Sequence, residues 1–159
     1  MYKPSQWRTR VEVFILKEDK MVVGYKNDER RFQAPGGGVE KGQSLGDAAI
    51  NECLEEIAVR IKNVKLISKI PVRVDWYELR DRGVQLTPKI LDRMRKFRGS
   101  EIYFMKAEFD KVDKSLYNKD KDAMTPAVIT KQKFISELKK DKEMSNWTTK
   151  TRIKMLEKL

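Results

Sequence analysis

The stretch from Gly36 to Val59 constrains this chain more than any other. Three glycines, Gly36-Gly37-Gly38, read as a loop that leads through Val39-Glu40-Lys41-Gly42-Gln43-Ser44 into Leu45 to Val59. Ser44 with Asp47 in the first turn is a helix start, because the hydroxyl accepts from an orphan backbone N–H and the acid favours the positive helix end. Leu45, Ala49, Cys53 and Ile57 recur every four residues and form the apolar face. Glu52, Glu55 and Glu56 stand at i, i+3 and i+4 on a neighbouring face. In a bare helix such like-charge pairs repel by roughly 0.2–0.5 kcal/mol each. A solvated acidic face is one reading of three such residues. A hard divalent cation is the other, since Mg²⁺ or Mn²⁺ takes carboxylate and carbonyl oxygens and reverses the sign of that repulsion.

Glycines, helix and glutamates together resemble the Nudix box: Gly, five residues, Glu, seven residues, Arg-Glu, an aliphatic residue, any residue, Glu-Glu, any residue, Gly, aliphatic. Gly37, Glu52, Glu55, Glu56 and Val59 match, and Cys53 fills the first aliphatic place as a small hydrophobe. Gln43, Asn51 and Ala58 stand where the pattern has Glu, Arg and Gly. The motif covers only Gly36 to Val59, but the resemblance implies a fold for nearly the whole chain: an α/β/α sandwich with a mixed sheet between helices.

The resemblance also implies a reaction. Nudix enzymes hydrolyse a nucleoside diphosphate linked to another moiety, as in a nucleoside triphosphate, a dinucleoside polyphosphate or ADP-ribose. By this resemblance Mg²⁺ or Mn²⁺ is held by Glu52, Glu55, Glu56 and the carbonyl of Gly36. Glu52 or Glu56 is expected to take the proton of the attacking water; some members use a later carboxylate, for which Asp120 or Asp122 stands here. Gly37 and Lys26 are expected beside the substrate, although a solvated loop lysine is the more ordinary state for Lys26. Two other readings stay open: a hydrolase of the 5′ end of RNA, capped or triphosphorylated, and a Nudix-fold module that binds nucleotide or RNA without turnover.

In the family the first motif Glu commonly pairs with the motif Arg. Both partners are amides here, which predicts a Gln43–Asn51 contact in place of the ion pair. Ala58 occupies a place where glycine is favoured because it takes positive φ; alanine there costs about 1 kcal/mol, or the chain leaves the helix by another route.

Charge matters next, because 35 Lys and Arg against 24 Asp and Glu leave a net charge of +11. Such a surplus either gathers a polyanion, RNA included, or simply keeps a small protein soluble. The chain has no histidine. That excludes His bases, His ligands and Ser-His-Asp or Cys-His schemes, leaving carboxylates, Lys and Tyr for proton transfer. A lone cysteine excludes an internal disulfide, and without a signal peptide or long apolar run the expectation is a cytoplasmic protein with no membrane segment. Oligomeric state is left open.

Around the central stretch, Trp7 to Leu16 alternates through Val11, Val13 and Ile15, breaks at Glu18-Asp19-Lys20 and resumes at Met21 to Tyr25, a hairpin pattern. Phe32 to Pro35 reads as a short extended piece. Val64 to Glu78 is expected to be extended, with Ile70, Val72, Val74 and Trp76 on one face. The segment at about 80–98 reads as a basic insertion, containing a helix that starts at Thr87-Pro88. It is either a solvated lip or a phosphate-attracting flap, with Arg93, Arg95 and Lys96 as its candidate contacts. Glu101 to Phe109 is a strand, Asp110 to Asp122 a loop ending at Thr125-Pro126, and helices follow from about 129, the last from about Trp147. The whole, 1–159, is expected to be one domain. Trp76, Tyr77 and Phe32 are the candidates for stacking on a base.

Overall fold

The computed structural model describes residues 2–118, 123–140 and 146–159. Asp120 and Asp122 therefore lie outside the described residues, as does the side chain of Trp147.

The hairpin forms where the alternation places it. β1 (Trp7–Lys17) and β2 (Lys20–Lys26) pair antiparallel around Glu18, whose φ of 57° gives the tight turn its left-handed residue. β3 (Arg31–Gln33) pairs with β2, and Gly36–Gly38, read from sequence as loop, is a short strand, β4, paired with β1 at Arg10 to Glu12. Helix α1 (Leu45–Ile57) begins at Ser44, whose hydroxyl accepts from the Asp47 N–H at 3.0 Å. It ends at Ala58, which adopts φ 56° and ψ 40° and donates its N–H to the Cys53 carbonyl. Alanine thus takes the left-handed helix-ending conformation usually left to glycine.

β5 (Val59–Leu66), β6 (Val72–Asp75) and β7 (Gly99–Val112) complete the larger part of the sheet. The order is β3-β2-β1-β7-β5, with β4 also beside β1 and β6 beside β7. β1 and β7 run parallel through ten registered pairs, and the other pairs are antiparallel. The sheet is therefore mixed, as expected. β8 (Thr125–Ile129), beside β2, was not visible as a strand in the sequence, since Pro126 removes a ladder donor and is at home only on an edge.

The run from Val64 to Glu78 is not continuously extended. Ile70 is 77% exposed between β5 and β6, and Trp76 opens a helix, α2 (Trp76–Asp81), capped by Asp75. α3 (Pro88–Arg93) starts at Thr87 as expected. Together α2, α3 and the turns between them close a small core of Trp76, Tyr77, Leu79, Leu86 and Met94, in which the Tyr77 hydroxyl donates to the Met94 carbonyl at 2.5 Å. The basic insertion is thus a packed unit with its charges outside.

Both faces of the central strands are covered. Val11, Val13 and Ile15 of β1 pack with Met105 and Ala107 of β7 against Ala48, Ala49, Cys53 and Ile57 of α1. On the opposite face Phe14 stacks with Phe104 at 5.8 Å and meets Phe134 edge-on at 6.4 Å. Phe134 belongs to α4 (Lys131–Lys140), which packs with α5 (Asn146–Glu157). Strand period 2 thus separates the two cores on one sheet and yields the three layers.

Candidate functional site

The acidic face of α1 turns toward β4. Glu56 is buried, 8% exposed, and its Oε1 accepts from the Gly36 N–H at 2.8 Å. The Glu52 carboxylate lies directly against Gly37, where a Cβ would overlap all three of its carboxylate atoms. At Gly38 a Cβ would overlap the Arg8 guanidinium instead. The glycines are therefore required by close approach: an acid sits on one and a base on the next. Glu55 is half-buried, and its carbonyl accepts from the Asn118 N–H at 3.1 Å, while that of Glu56 accepts from the Met124 N–H at 2.8 Å.

Of the expected site residues, Gly36, Gly37, Glu52 and Glu56 are thus brought together at one strand-helix junction, with Glu55 on the same helix. Lys26 is not among them: its ammonium pairs with Glu29 at 3.2 Å, and of the two only Glu29 lines the cleft beyond the glycine strand. Gln43 and Asn51 do not meet. The Gln43 Oε1 accepts from the Glu40 N–H at 3.0 Å, folding the loop on itself, and Asn51 is exposed on α1. The paired amides do not replace the ion pair by a mutual contact.

Beyond the glycine strand opens a cleft of about 1180 Å³ between the sheet, the α2–α3 unit and the C-terminal helices. Arg10 and Glu12 of β1, Gln33 of β3, Trp76, Arg93 of α3 and Arg152 of α5 all line it. Phe32 also lines it, half-buried with its ring 5.0 Å from that of Tyr25, whereas Tyr77 is buried in the insertion's core. Glu12 is 4% exposed and is held by Arg152, which donates from Nε at 2.7 Å and from Nη2 at 2.9 Å.

The cations in this region crowd one another. Burial, then Arg93 and Arg10, push the Arg8 guanidinium down to about 10, against the opposing pull of Glu52. Arg10 is lowered chiefly by burial; Arg152 and Arg93 add to this, while Glu12 and Glu56 oppose it. The lining of the cleft carries six bases, Arg10, Arg30, Arg31, Arg93, Lys140 and Arg152, against three acids, Glu12, Glu29 and Glu137, an arrangement suited to an anion. Arg93 was expected from the basic segment, but Arg8, Arg10 and Arg152 were not. The signal for Arg8 and Arg10 was present as charge at alternate positions, with Glu12, on a strand whose residues Val11, Val13 and Ile15 are core.

Among the described residues no three acidic or cysteine side chains close tightly enough to cage an ion. The donor set still fits a hard divalent cation. It is all oxygen, it comes from adjacent turns of one helix, and one carboxylate is already anchored on the glycine backbone.

The NUDIX domain pattern matches residues 7–111. An RNA pyrophosphohydrolase of Francisella tularensis subsp. mediasiatica is 30% identical over 79 residues, 49% of each chain, so this chain spans about half the length of that relative. A solved NUDIX hydrolase from Nitrosomonas europaea superposes with a TM-score of 0.63 at 12% identity, covering 91% of this chain and 86% of its own. A structure described as ADP compounds hydrolase gives 0.60 at 13% identity, covering 97% and 72%. At these identities the structures share the fold. Among the described residues no helix is long and apolar enough to cross a membrane.

Proposed function

The chain belongs to the Nudix family, and on that premise we propose that it is a pyrophosphohydrolase, cleaving a phosphoanhydride bond in a nucleoside diphosphate linked to another moiety. The observation that carries this reading is the placement of Glu52 on Gly37 and Glu56 on Gly36, beside an arginine-rich cleft. Glu52, Glu55, Glu56 and the Gly36 carbonyl would hold Mg²⁺ or Mn²⁺. When bound, such an ion neutralises phosphoryl oxygens and lowers the pKa of a water.

The remaining work falls to the chain's own residues. Glu52 is half-exposed at the mouth of the glycine strand, in position to take a proton from an attacking water. Glu56, buried and anchored by the Gly36 N–H, holds negative charge in place. Arg93 lies across the cleft, on a unit whose own packed core fixes its position, and offers a guanidinium to phosphate oxygens. Gly37 permits the close approach of Glu52 and of substrate.

The test is product analysis on a panel of nucleoside triphosphates, dinucleoside polyphosphates, ADP-ribose and 5′-triphosphorylated or capped RNA, with Mg²⁺ and Mn²⁺. Cation-dependent release of a nucleoside monophosphate, or of RNA bearing a 5′-monophosphate, is the expected result. Turnover unaffected by chelator, or none on any phosphoanhydride, would sink the proposal; the second outcome would favour a binding module. The RNA 5′ end is a second reading with its own support. The cleft exceeds the roughly 300–1,000 Å³ usual for small-ligand pockets, the net charge is +11, and a relative carries the name RNA pyrophosphohydrolase.

A further inference from the structure

Among the described residues two buried side-chain polar atoms make no hydrogen bond: Arg10 Nε and Gln33 Oε1. Both residues line the same cleft. One atom is a donor and the other an acceptor. A folded chain leaves few such groups unmatched, because each forfeits the hydrogen bond it made with water.

The acids nearest Arg10 are already engaged. Both oxygens of Glu12 accept from Arg152, and Glu56 Oε1 accepts from the Gly36 N–H. The other charges acting on Arg10 are of its own sign, Arg93 and Arg152, and Arg8 stands on the same strand. An anionic oxygen arriving at Nε would answer both the missing hydrogen bond and the surplus charge.

Gln33 is an uncharged acceptor some way off. It pairs with Gly24 of β2, and β2 joins β1 through Ile15 and Val22. From strand spacings of about 4.8 Å and a rise of about 3.3 Å per residue, the backbones of Gln33 and Arg10 are separated by on the order of 10–15 Å. Side chains reaching inward from both ends shorten that to the span between the base and the phosphates of a nucleotide.

We propose that the cleft binds a nucleotide whose phosphate oxygen accepts from Arg10 and whose base presents an exocyclic amine to Gln33. This rests on the reading of the cleft as a nucleotide substrate site and adds the base class: adenine, guanine or cytosine over bases without the amine. A site built around an acceptor rejects the analogue that lacks the donor, because its own buried oxygen is then left unmatched.

The experiment is calorimetric binding to the full chain in chelator, so that hydrolysis does not consume the ligand. Three pairs are compared: ATP with purine riboside triphosphate, GTP with ITP, and CTP with UTP. In at least one pair the amine-bearing member is expected to bind about tenfold or more tightly. Gln33→Leu should remove that preference, and Gln33→Glu, which keeps an acceptor, should retain it. Arg10→Gln should weaken every triphosphate about tenfold and leave the bare nucleoside unchanged. Equal affinity in all three pairs, a preference that survives Gln33→Leu, equal weakening of nucleoside and triphosphate in Arg10→Gln, or no nucleotide binding at all would overturn the proposal. Should Gln33→Leu fail to fold, the wild-type pairs decide alone. A wild-type preference without hydrolysis of any phosphoanhydride would remove the hydrolase reading and uphold this one.

Discussion

Arg152, on the last helix, holds Glu12, on the first strand, through two hydrogen bonds of 2.7 and 2.9 Å that bridge 140 residues of sequence. The same guanidinium donates from Nη1 to Thr148 Oγ1 at 2.6 Å, which fixes it along its own helix. The pair therefore ties α5 to the floor of the cleft at a point where the floor is charged.

Removing one partner of a buried ion pair typically costs about 3–5 kcal/mol, since the other is stranded. The two partners should differ here. Glu12→Gln leaves Arg152 and Arg10 facing each other without their shared acid, whereas Arg152→Gln leaves Glu12 with Arg10 still beside it. Urea denaturation should show the larger loss for Glu12→Gln. Equal losses would mean that Arg10 gives Glu12 no support.

The glycine strand gives a second prediction. Gly37→Ala places a methyl where the Glu52 carboxylate now lies, and the atoms displaced are the far end of a flexible side chain. Stability should change little while kcat falls by about a hundredfold, as it should for Glu52→Gln, Glu55→Gln and Glu56→Gln, because each weakens the charge at the site. A steady-state assay with Mg²⁺ or Mn²⁺ beside a thermal melt separates the two effects. A Gly37→Ala protein that keeps full kcat would refute the close approach.

Much of this geometry was legible in sequence, and the limits have physical causes. Ser44 capping α1, the stripe from Leu45 to Ile57 and the alternation of β1 and β7 are local patterns, and each formed where its period placed it. Gly36–Gly38 read as loop because its strand character comes only from pairing with β1, a non-local partner. Trp76 read as strand because aromatic alternation cannot register the cap that Asp75 supplies. Arg8 and Arg10 had no assignment of their own, because charge at alternate positions of a strand is also what a solvated face looks like. Only the packing of α3 and α5 over that side, through Arg93 and Arg152, turns it inward. The Gln43–Asn51 contact failed because Glu40, closer in the chain, offers Gln43 a backbone N–H.

Acid should loosen the insertion before the rest. Asp75 caps α2 by accepting from the Tyr77 and Glu78 N–H groups at 3.0 and 3.1 Å, and it accepts from Arg98 Nε at 2.8 Å. Burial alone would raise its carboxyl. The Arg98 hydrogen bond, those backbone N–H groups and the Arg98 charge together outweigh it and hold the group below the usual range. A carboxyl depressed in the folded state adds stability above its unfolded pKa, and that contribution disappears as pH falls through the lower folded value. Fluorescence of Trp76, which sits in the insertion's core, should therefore change as pH drops below about 4. Asp75→Asn should flatten that change and lower stability at neutral pH. A tryptophan signal that titrates identically in Asp75→Asn would refute the assignment.

The bases of the insertion should separate by function. Arg93 faces the cleft, whereas Arg95 and Lys96 are exposed on its outer side, and Arg95 reaches Asp92 only at 3.7 Å across solvent. Arg93→Gln should raise KM for every phosphorylated substrate, since it removes a guanidinium from the place where any phosphate must sit. Neutralising Arg95 and Lys96 together should leave a mononucleotide unaffected and raise KM for RNA alone, because only a chain that extends out of the cleft can reach them. The dependence of RNA affinity on salt should also flatten, since each phosphate that is no longer neutralised takes about 0.7 off the slope of log affinity against log salt for a single strand. Titrating KM for a triphosphorylated RNA and for the matching nucleoside triphosphate between low and moderate salt reads both effects. Equal effects of the outer pair on the two substrates, or none on either, would return Arg95 and Lys96 to a solvated surface and leave Arg93 as the insertion's contribution to the site.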